Sequence, residues 1–309
     1  MKQVLVQVNV PIFHVSTWIQ LLRALEVNPQ DFFECVKYAP QFYYPIQLPK
    51  RTGGFRTISA PTEQLKKIQR SILDNILSKV PLPSCAYGLG AGKSIVENAT
   101  AHLHGRYLTN IDLVNFFPSI DFKVVRTLFQ ELGFSDEIAN TLTRLTTLNY
   151  SVPQGAPTSP YLAALSLNNL DARIMRLCLN NRLLYTRYFD DITISGTKRA
   201  HEVLDTLEKI IRHEGYAMHR KEGKLTLSGP GDTKKVTGLL IKDGKVTPPN
   251  AKELLEYLHL LHTQGPRALS QDNLYKEKAT VMGKISFMKQ VDPVLGTELQ
   301  AVFEQLHWW

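Results

Sequence analysis

The sequence predicts an α+β fold in which an antiparallel sheet is covered on one face by helices. Three observations carry this. Leu183 to Tyr188 is apolar, aromatic and β-branched, Ile192 to Ser195 alternates apolar with hydroxyl side chains, and Asp190 and Asp191 lie between them at a hairpin tip. Along the chain the pattern reads strand, helices, hairpin, helix, strand. From about residue 248 the chain reads as helical.

The elements follow in order. Trp18, Leu21, Leu22 and Leu25 fall at helical spacing, so residues 16–40 are expected to be a helix with Pro40 as its stop. "FYYPIQLPKRTGGFRTISA", residues 42–60, reads as a hairpin turned at Gly53-Gly54. An amphipathic helix is expected over 62–80, a strand over "RYLTNID" ending on Asp112, and helices over 121–132 and 136–148. "SVPQGAPTSP" leads into a long helix over 159–180. The aspartate hairpin follows, then a helix over 198–214 and short strands to about 247. In "NAKELLEYLHLLHTQGP", Asn250 and Glu253 have the spacing of a capping box and Gly265-Pro266 that of a stop. The Leu254, Leu255, Leu258 and Leu261 stripe is expected to be core.

The 309 residues suffice for a sizeable core, and 43% of them are hydrophobic, which excludes a disordered tail. Lys plus Arg number 36 and Asp plus Glu 28, a net charge of +8, which suits a polyanionic partner without establishing one. Between 47 and 80, seven basic residues (Lys50, Arg51, Arg56, Lys66, Lys67, Arg70 and Lys79) face only Glu63 and Asp74, the densest basic zone of the chain. Cys35, Cys85 and Cys178 are scattered and lack CxxC spacing, so reduced, buried thiols are expected rather than a disulfide framework or a zinc site. No apolar run approaches the ~20 residues of a membrane span. "MKQVLVQVNVPIF" has no cleavage pattern and is not expected to be a signal peptide.

Asp112, Asp190 and Asp191 each end or turn an expected strand. Carboxylates gathered in this way repel one another unless positive charge lies between them. Hard divalent cations take oxygen ligands, and two of them about 3.5–4 Å apart clamp the attacking and leaving oxygens of a phosphoryl transfer. A solvated turn is the competing account, since Asp suits turns. The neighbouring motifs decide between them.

"YFDD" between two strands resembles the Tyr-x-Asp-Asp motif of reverse transcriptases. "NIDLVNFFPSI" resembles their first palm motif, and "VPQGAPTSP" their Pro-Gln-Gly loop with its following Ser-Pro. All three stand in the family's order. "NATAH", residues 98–102, and "VTG", residues 236–238, resemble the Asn-Ala-x-x-His and Val-Thr-Gly signatures of bacterial retron reverse transcriptases. The resemblance covers roughly residues 42–292.

The resemblance implies a right-hand polymerase: an N-terminal helix and fingers over 1–105, a palm over 106–247 with a fingers segment at about 121–160, and a helical thumb over 248–309. It implies Asp112, Asp190 and Asp191 as catalytic residues. These three and the carbonyl of Leu113 would hold two Mg²⁺ ions, with Mn²⁺ as a substitute. Phe117, five places after Asp112, would lie under the incoming sugar and exclude a 2′-hydroxyl, with Phe116 as its neighbour. Gln154 would contact the nucleotide, and Gly155 would let the backbone approach it. Arg56 would meet the triphosphate through its planar donor fork, helped by Lys50 and Arg51. Lys224 would stand near the leaving pyrophosphate as a general acid, although Lys221 replaces the asparagine that the family commonly has three places earlier. Asn98, His102, Val236, Thr237 and Gly238 would recognise the retron's structured RNA.

The expected enzyme is therefore an RNA-directed DNA polymerase that copies a dedicated noncoding RNA into single-stranded DNA. Priming from a 2′-hydroxyl would give a branched RNA–DNA product (msDNA). Deoxynucleoside triphosphates would be its substrates, a separate effector protein and a separate RNase H its partners, the bacterial cytoplasm its place, and antiphage defence its role. The rivals are another bacterial reverse transcriptase, of group II intron or other defence type, and a non-catalytic RNA-binding scaffold.

Overall fold

The structure, a computed structural model, describes residues 12–49, 53–221, 223–265, 271–306 and 308. The expectations for the N-terminal stretch up to Pro11 and for Lys50 and Arg51 lie outside these residues. Helices α1 (Trp18–Leu25) and α2 (Pro29–Tyr38) open the fold. One helix was expected here. Glu26 turns left-handed at φ 52°, and Asn28 then accepts hydrogen bonds from the Gln30 and Asp31 N–H groups with Pro29 behind it. An Asn cap followed by Pro in the first turn is a start signal, so the chain stops and begins again.

Strands β1 (Tyr43–Pro49) and β2 (Phe55–Pro61) form the expected hairpin, with Gly53 and Gly54 both at positive φ in its turn. Helix α3 (Glu63–Asn75) follows, then β3 (Ala86–Tyr87) and the short α4 (Ile95–Ala101). The strand β4 (Tyr107–Asp112) leads through the one-turn α5 (Phe116–Ser119) into α6 (Phe122–Glu131) and α7 (Asp136–Thr146). The long helix expected over 159–180 is two helices, α8 (Ser159–Ser166) and α9 (Asn168–Asn180). Tertiary contact sets the break: the Ser166 carbonyl and hydroxyl both accept from the Tyr216 hydroxyl, at 3.3 and 3.1 Å.

The hairpin β5 (Leu183–Tyr188) and β6 (Asp191–Gly196), helix α10 (His201–His213) and β7 (Leu225–Ser228) complete a five-stranded sheet in the order β3-β5-β6-β4-β7. All its pairs are antiparallel except β3 with β5. A three-stranded sheet, β8 (Lys234–Val236), β9 (Leu239–Lys242) and β10 (Lys245–Thr247), lies beside α4. The chain ends in α11 (Ala251–Gln264), α12 (Gln271–Val291) and α13 (Pro293–Glu304). Asn250 precedes α11 but sits at φ 60° and makes no capping bond. A cap needs extended backbone to aim its side chain at the helix N–H groups, and a left-handed Asn cannot do so.

The sheet alternates strictly. Ile111, Tyr185, Ile192 and Ile194 point to one face and are fully buried against a core that draws on α1–α3 and α6–α10. Each such side chain contributes about 1.5–3 kcal/mol by leaving water. The other face carries Asn110, Asp112, Thr186, Asp191, Thr193 and Ser195. It too is partly covered, by α4 and the small sheet, where Ala99, Leu108, Val236, Leu239 and Ile241 pack with Val291 of α12. A separate core inside the last three helices takes Leu254, Leu258 and Leu261, as expected, with Leu299, Phe303 and Trp308, while Leu255 of the same stripe is only half-buried against it. All three cysteines are free and buried. No helix among the described residues is long and apolar enough to cross a membrane.

Beneath the sheet lies a buried ion pair, with Asp171 of α9 and Arg187 of β5 each 1% exposed. Arg187 donates through Nε at 2.8 Å and Nη2 at 2.7 Å to the carboxylate, and through Nη2 to the Ala164 carbonyl at 2.8 Å. The Tyr185 hydroxyl donates to Asp171 at 2.7 Å. Removing one partner leaves a buried charge uncompensated. Asp171→Asn is therefore expected to lower the unfolding free energy by about 3–5 kcal/mol, and Asp171→Leu with Arg187→Met to recover most of that loss. Urea unfolding of the three proteins checks this; a loss under ~1 kcal/mol for Asp171→Asn would refute it.

Candidate active site

Asp112 ends β4, Asp191 begins β6, and the two are cross-strand partners. The Leu113 N–H donates to the Asp190 carbonyl at 3.3 Å. The neighbouring 112–191 pair is therefore of the non-hydrogen-bonded kind, in which Cα atoms approach to about 4.5 Å and side chains crowd. In a bridged, extended residue N–H and C=O share an edge, so the Leu113 carbonyl also faces the aspartate turn. Asp190 occupies the turn itself. Before it, Phe189 is left-handed at φ 54°, with its ring edge-on to Tyr188 at 5.2 Å. That ring rests on Gly88, where a Cβ would stand 2.7 Å from it. A bare glycine upstream thus seats the turn that carries the carboxylates.

The crowding shows in the acidities. Burial pushes Asp191 up to about 7, and the charges of Asp112 and Asp190 add to the effect. Asp190 is also raised, first by burial and then by Asp112, while its own N–H, Lys224 and Arg56 oppose the rise. The Lys224 ammonium bonds the Asp112 carboxylate directly, and His219 Nε2 stands 3.9 Å from the same oxygen. Among the described residues no group of three acidic, imidazole or thiol side chains is gathered as a ready metal cage. The donor chemistry nevertheless fits hard divalent cations: oxygen donors alone, a carbonyl aimed at the same turn, and two carboxylates whose pKa values are raised first by burial and then by neighbouring carboxylates.

A cleft of about 590 Å³ opens in front of this cluster. Asp112, Leu113, Asp190, His219 and Lys224 form one wall, and Arg56, Thr57, Ser59 and Gln154 another. The sequence-derived Arg56, Asp112, Leu113, Gln154, Asp190 and Lys224 thus meet in one place. Gly155 has a packing role that the sequence did not suggest. It lies at φ +128°, and a Cβ there would stand 2.5 Å from Ile58 Cγ2 and 2.8 Å from the Ser59 carbonyl. With the Ser59 N–H bonded to the Gln154 carbonyl at 2.7 Å, this glycine lets β2 close onto the Pro-Gln-Gly loop. Phe116 lines the cleft, while Phe117 is half-buried against the core, 5.5 Å from the Phe116 ring.

The set expected to touch RNA divides. Asn98 and His102 are fully buried, as is Val236. Thr186 Oγ donates to Asn98 Oδ1 at 2.6 Å, so it accepts from His102 Nε2 at 2.7 Å. Burial lowers the His102 pKa to about 4, so the ring is neutral and its Nδ1 accepts from the Ser195 hydroxyl at 2.7 Å. These side chains bolt α4 to both strands of the aspartate hairpin and do not reach a surface. Thr237, at φ 46°, and Gly238, with open space around it, do border a groove of about 710 Å³ with Tyr257 and Lys284 of the last helices. Sequence reasoning missed His219, whose only signal was its closeness to Lys224. It also missed the Asp171–Arg187 pair, whose members lie apart in sequence and carry no motif.

Residues 48–245 match the family described as reverse transcriptase (RNA-dependent DNA polymerase). The Ec86 retron reverse transcriptase of Escherichia coli is 38% identical over 214 residues, 68% of this chain and 66% of that enzyme. The Mx162 retron reverse transcriptase of Myxococcus xanthus is 28% identical over 300 residues, 85% of this chain and 61% of that enzyme. The chain thus spans just under two thirds of each of these relatives. The Ec73 retron reverse transcriptase of Escherichia coli is 30% identical over 309 residues, 93% of this chain and 96% of that enzyme. Among solved structures, apo telomerase from Candida tropicalis, truncated from the C-terminal domain, overlays with a TM-score of 0.45 at 12% identity, covering 69% of this chain and 58% of that one. This chain belongs to the reverse transcriptase family, among the bacterial retron reverse transcriptases.

Proposed function

We propose that this chain is an RNA-directed DNA polymerase of retron type. The observation that carries the reading is the cleft in which Asp112 and Asp190 face Arg56 and Gln154. In this reading the part up to 105 supplies the two helices α1 and α2 and the fingers, 106–247 the palm with a fingers segment at about 121–160, and the part from 248 the thumb. Asp112, Asp190, Asp191 and the Leu113 carbonyl would hold two Mg²⁺ ions, which would supply Lewis-acid stabilisation of the phosphoryl charge. Arg56 takes the triphosphate of an incoming deoxynucleotide, and Gln154 its sugar side. Lys224, whose ammonium bonds the Asp112 carboxylate at the edge of the cleft, would protonate the departing pyrophosphate.

The template is a dedicated structured RNA, primed from a 2′-hydroxyl to give a branched RNA–DNA product. A separate RNase H and an effector protein act with it in antiphage defence, in the bacterial cytoplasm. The groove that Thr237 and Gly238 line together with Lys284 supports a contact between this part of the retron set and that RNA. Asn98 and His102 serve recognition only indirectly, by holding the hairpin.

Three outcomes test this. Asp190→Asn with Asp191→Asn should lower primer extension at least about a hundredfold while leaving the melting temperature nearly unchanged, since the change removes crowded charge and keeps shape. Near-normal extension would leave the scaffold reading in place. Phe117→Val should raise the ratio of ribonucleotide to deoxynucleotide incorporation about tenfold; a change at Phe116→Val alone would assign the sugar contact to the ring that lines the cleft. His102→Ala should slow extension of an arbitrary primed template and of the cognate RNA to the same degree, and lower the melting temperature. A loss confined to the cognate RNA would restore His102 to direct recognition.

A further inference from the structure

On the rim of the cleft, Leu148, Asn149, Tyr150 and Ser151 make a tight two-residue turn. Leu148 N–H donates to the Ser151 carbonyl at 2.9 Å, and Ser151 N–H to the Leu148 carbonyl at 3.1 Å. Both central residues are left-handed, Asn149 at φ 49° and Tyr150 at φ 62°. Turns of this kind take Asn followed by Gly, because the second position meets the same steric penalty and only glycine escapes it. Here a tyrosine holds the glycine position.

The ring gains little for folding. It is 83% exposed, and its one aromatic neighbour among the described residues, Phe122, meets it edge-on at 6.4 Å. The backbone beneath is firmly tied. Phe122 N–H donates to the Tyr150 carbonyl at 2.8 Å, Val152 N–H to the Ile120 carbonyl at 3.1 Å, and Ser151 bridges Asp121. Leu148, Asn149, Ser151, Val152 and Pro153 all line the cleft that holds Gln154, Arg56 and the aspartates. A strained backbone and a solvated aromatic ring, on a rigid mount beside a cleft, together indicate a contact made outside the folded chain.

We propose that Tyr150 is a stacking platform for an unpaired nucleobase of the single-stranded RNA template at the entrance to the cleft. The exposed face of a tyrosine suits any base, and stacking needs no charge. The incoming nucleotide is held between Arg56 and the carboxylates inside the cleft. Tyr150 stands outside that lining, so the base it meets belongs to the template strand ahead of the pairing site.

The proposal rests on the polymerase reading, and binding measurements separate the two. The full chain is titrated with a fluorescent RNA–DNA duplex carrying a single-stranded RNA 5′ overhang, and with the same duplex blunt-ended. Tyr150→Gly relieves the left-handed strain, so it should melt at or above the wild-type temperature while binding the overhang duplex about tenfold more weakly. Its affinity for the blunt duplex should be unchanged, and Tyr150→Phe should bind both as wild type does. Equal overhang affinity in Tyr150→Gly, an equal loss on both duplexes, or a lowered melting temperature would each overturn the proposal. Wild-type protein that binds neither duplex would overturn the polymerase reading along with it.

Discussion

A carboxylate and a guanidinium buried together hold the centre of this molecule. Asp171 sits on α9 and Arg187 on β5, three residues before the aspartate turn. Ions removed from water are costly unless geometry and hydrogen bonds are complete. Here Arg187 reaches both carboxylate oxygens and the Ala164 carbonyl, and Tyr185 adds its hydroxyl. The pair therefore tolerates one placement of β5 over the helices. Since β5 leads directly into the turn, that placement also aims Asp190 and Asp191.

The opposite face of the hairpin is held by neutral groups. His102, Thr186, Asn98 and Ser195 form a chain of hydrogen bonds 2.6–2.7 Å long, with no water-facing member. Gly105 makes room for it, since a Cβ there would stand 2.6 Å from Ser195 Cβ. The hairpin is thus clamped from below by charge and from above by imidazole and hydroxyl groups. A rigid support of this kind is what a cluster of mutually repelling carboxylates requires, because repulsion would otherwise spread the strands. The exposed part of the electrostatics is Lys224, just before β7, whose ammonium pairs with the Asp112 carboxylate.

Close backbone approach does similar work at the other wall. Gly155 admits β2 against the Pro-Gln-Gly loop, and Gly88 admits the Phe189 ring beneath the turn. Both glycines are at positive φ, and both would clash if they carried a Cβ. They set how far Arg56 and the aspartates stand from each other.

The sequence alone determined the local features. Strand alternation around Asp190-Asp191, the Gly53-Gly54 turn and the apolar stripe of α11 follow from neighbours within a few residues, and periodicity records them. The same holds for the residues of the cleft, because motifs such as "YFDD" and "VPQG" are contiguous. Helix ends are less legible: Asn28-Pro29 announces the restart between α1 and α2 inside a continuous apolar periodicity, and the break between α8 and α9 depends on the Tyr216 hydroxyl, which donates to the Ser166 carbonyl from 50 residues away. Tertiary structure alone decided which motif residues face solvent. Asn98 and His102 look like recognition residues in a string of letters, yet their partners are Thr186 and Ser195, 84 to 93 positions along the chain. A polar side chain carries no local mark of whether water or a buried hydroxyl will satisfy it. Only the fold brings that partner within hydrogen-bond reach.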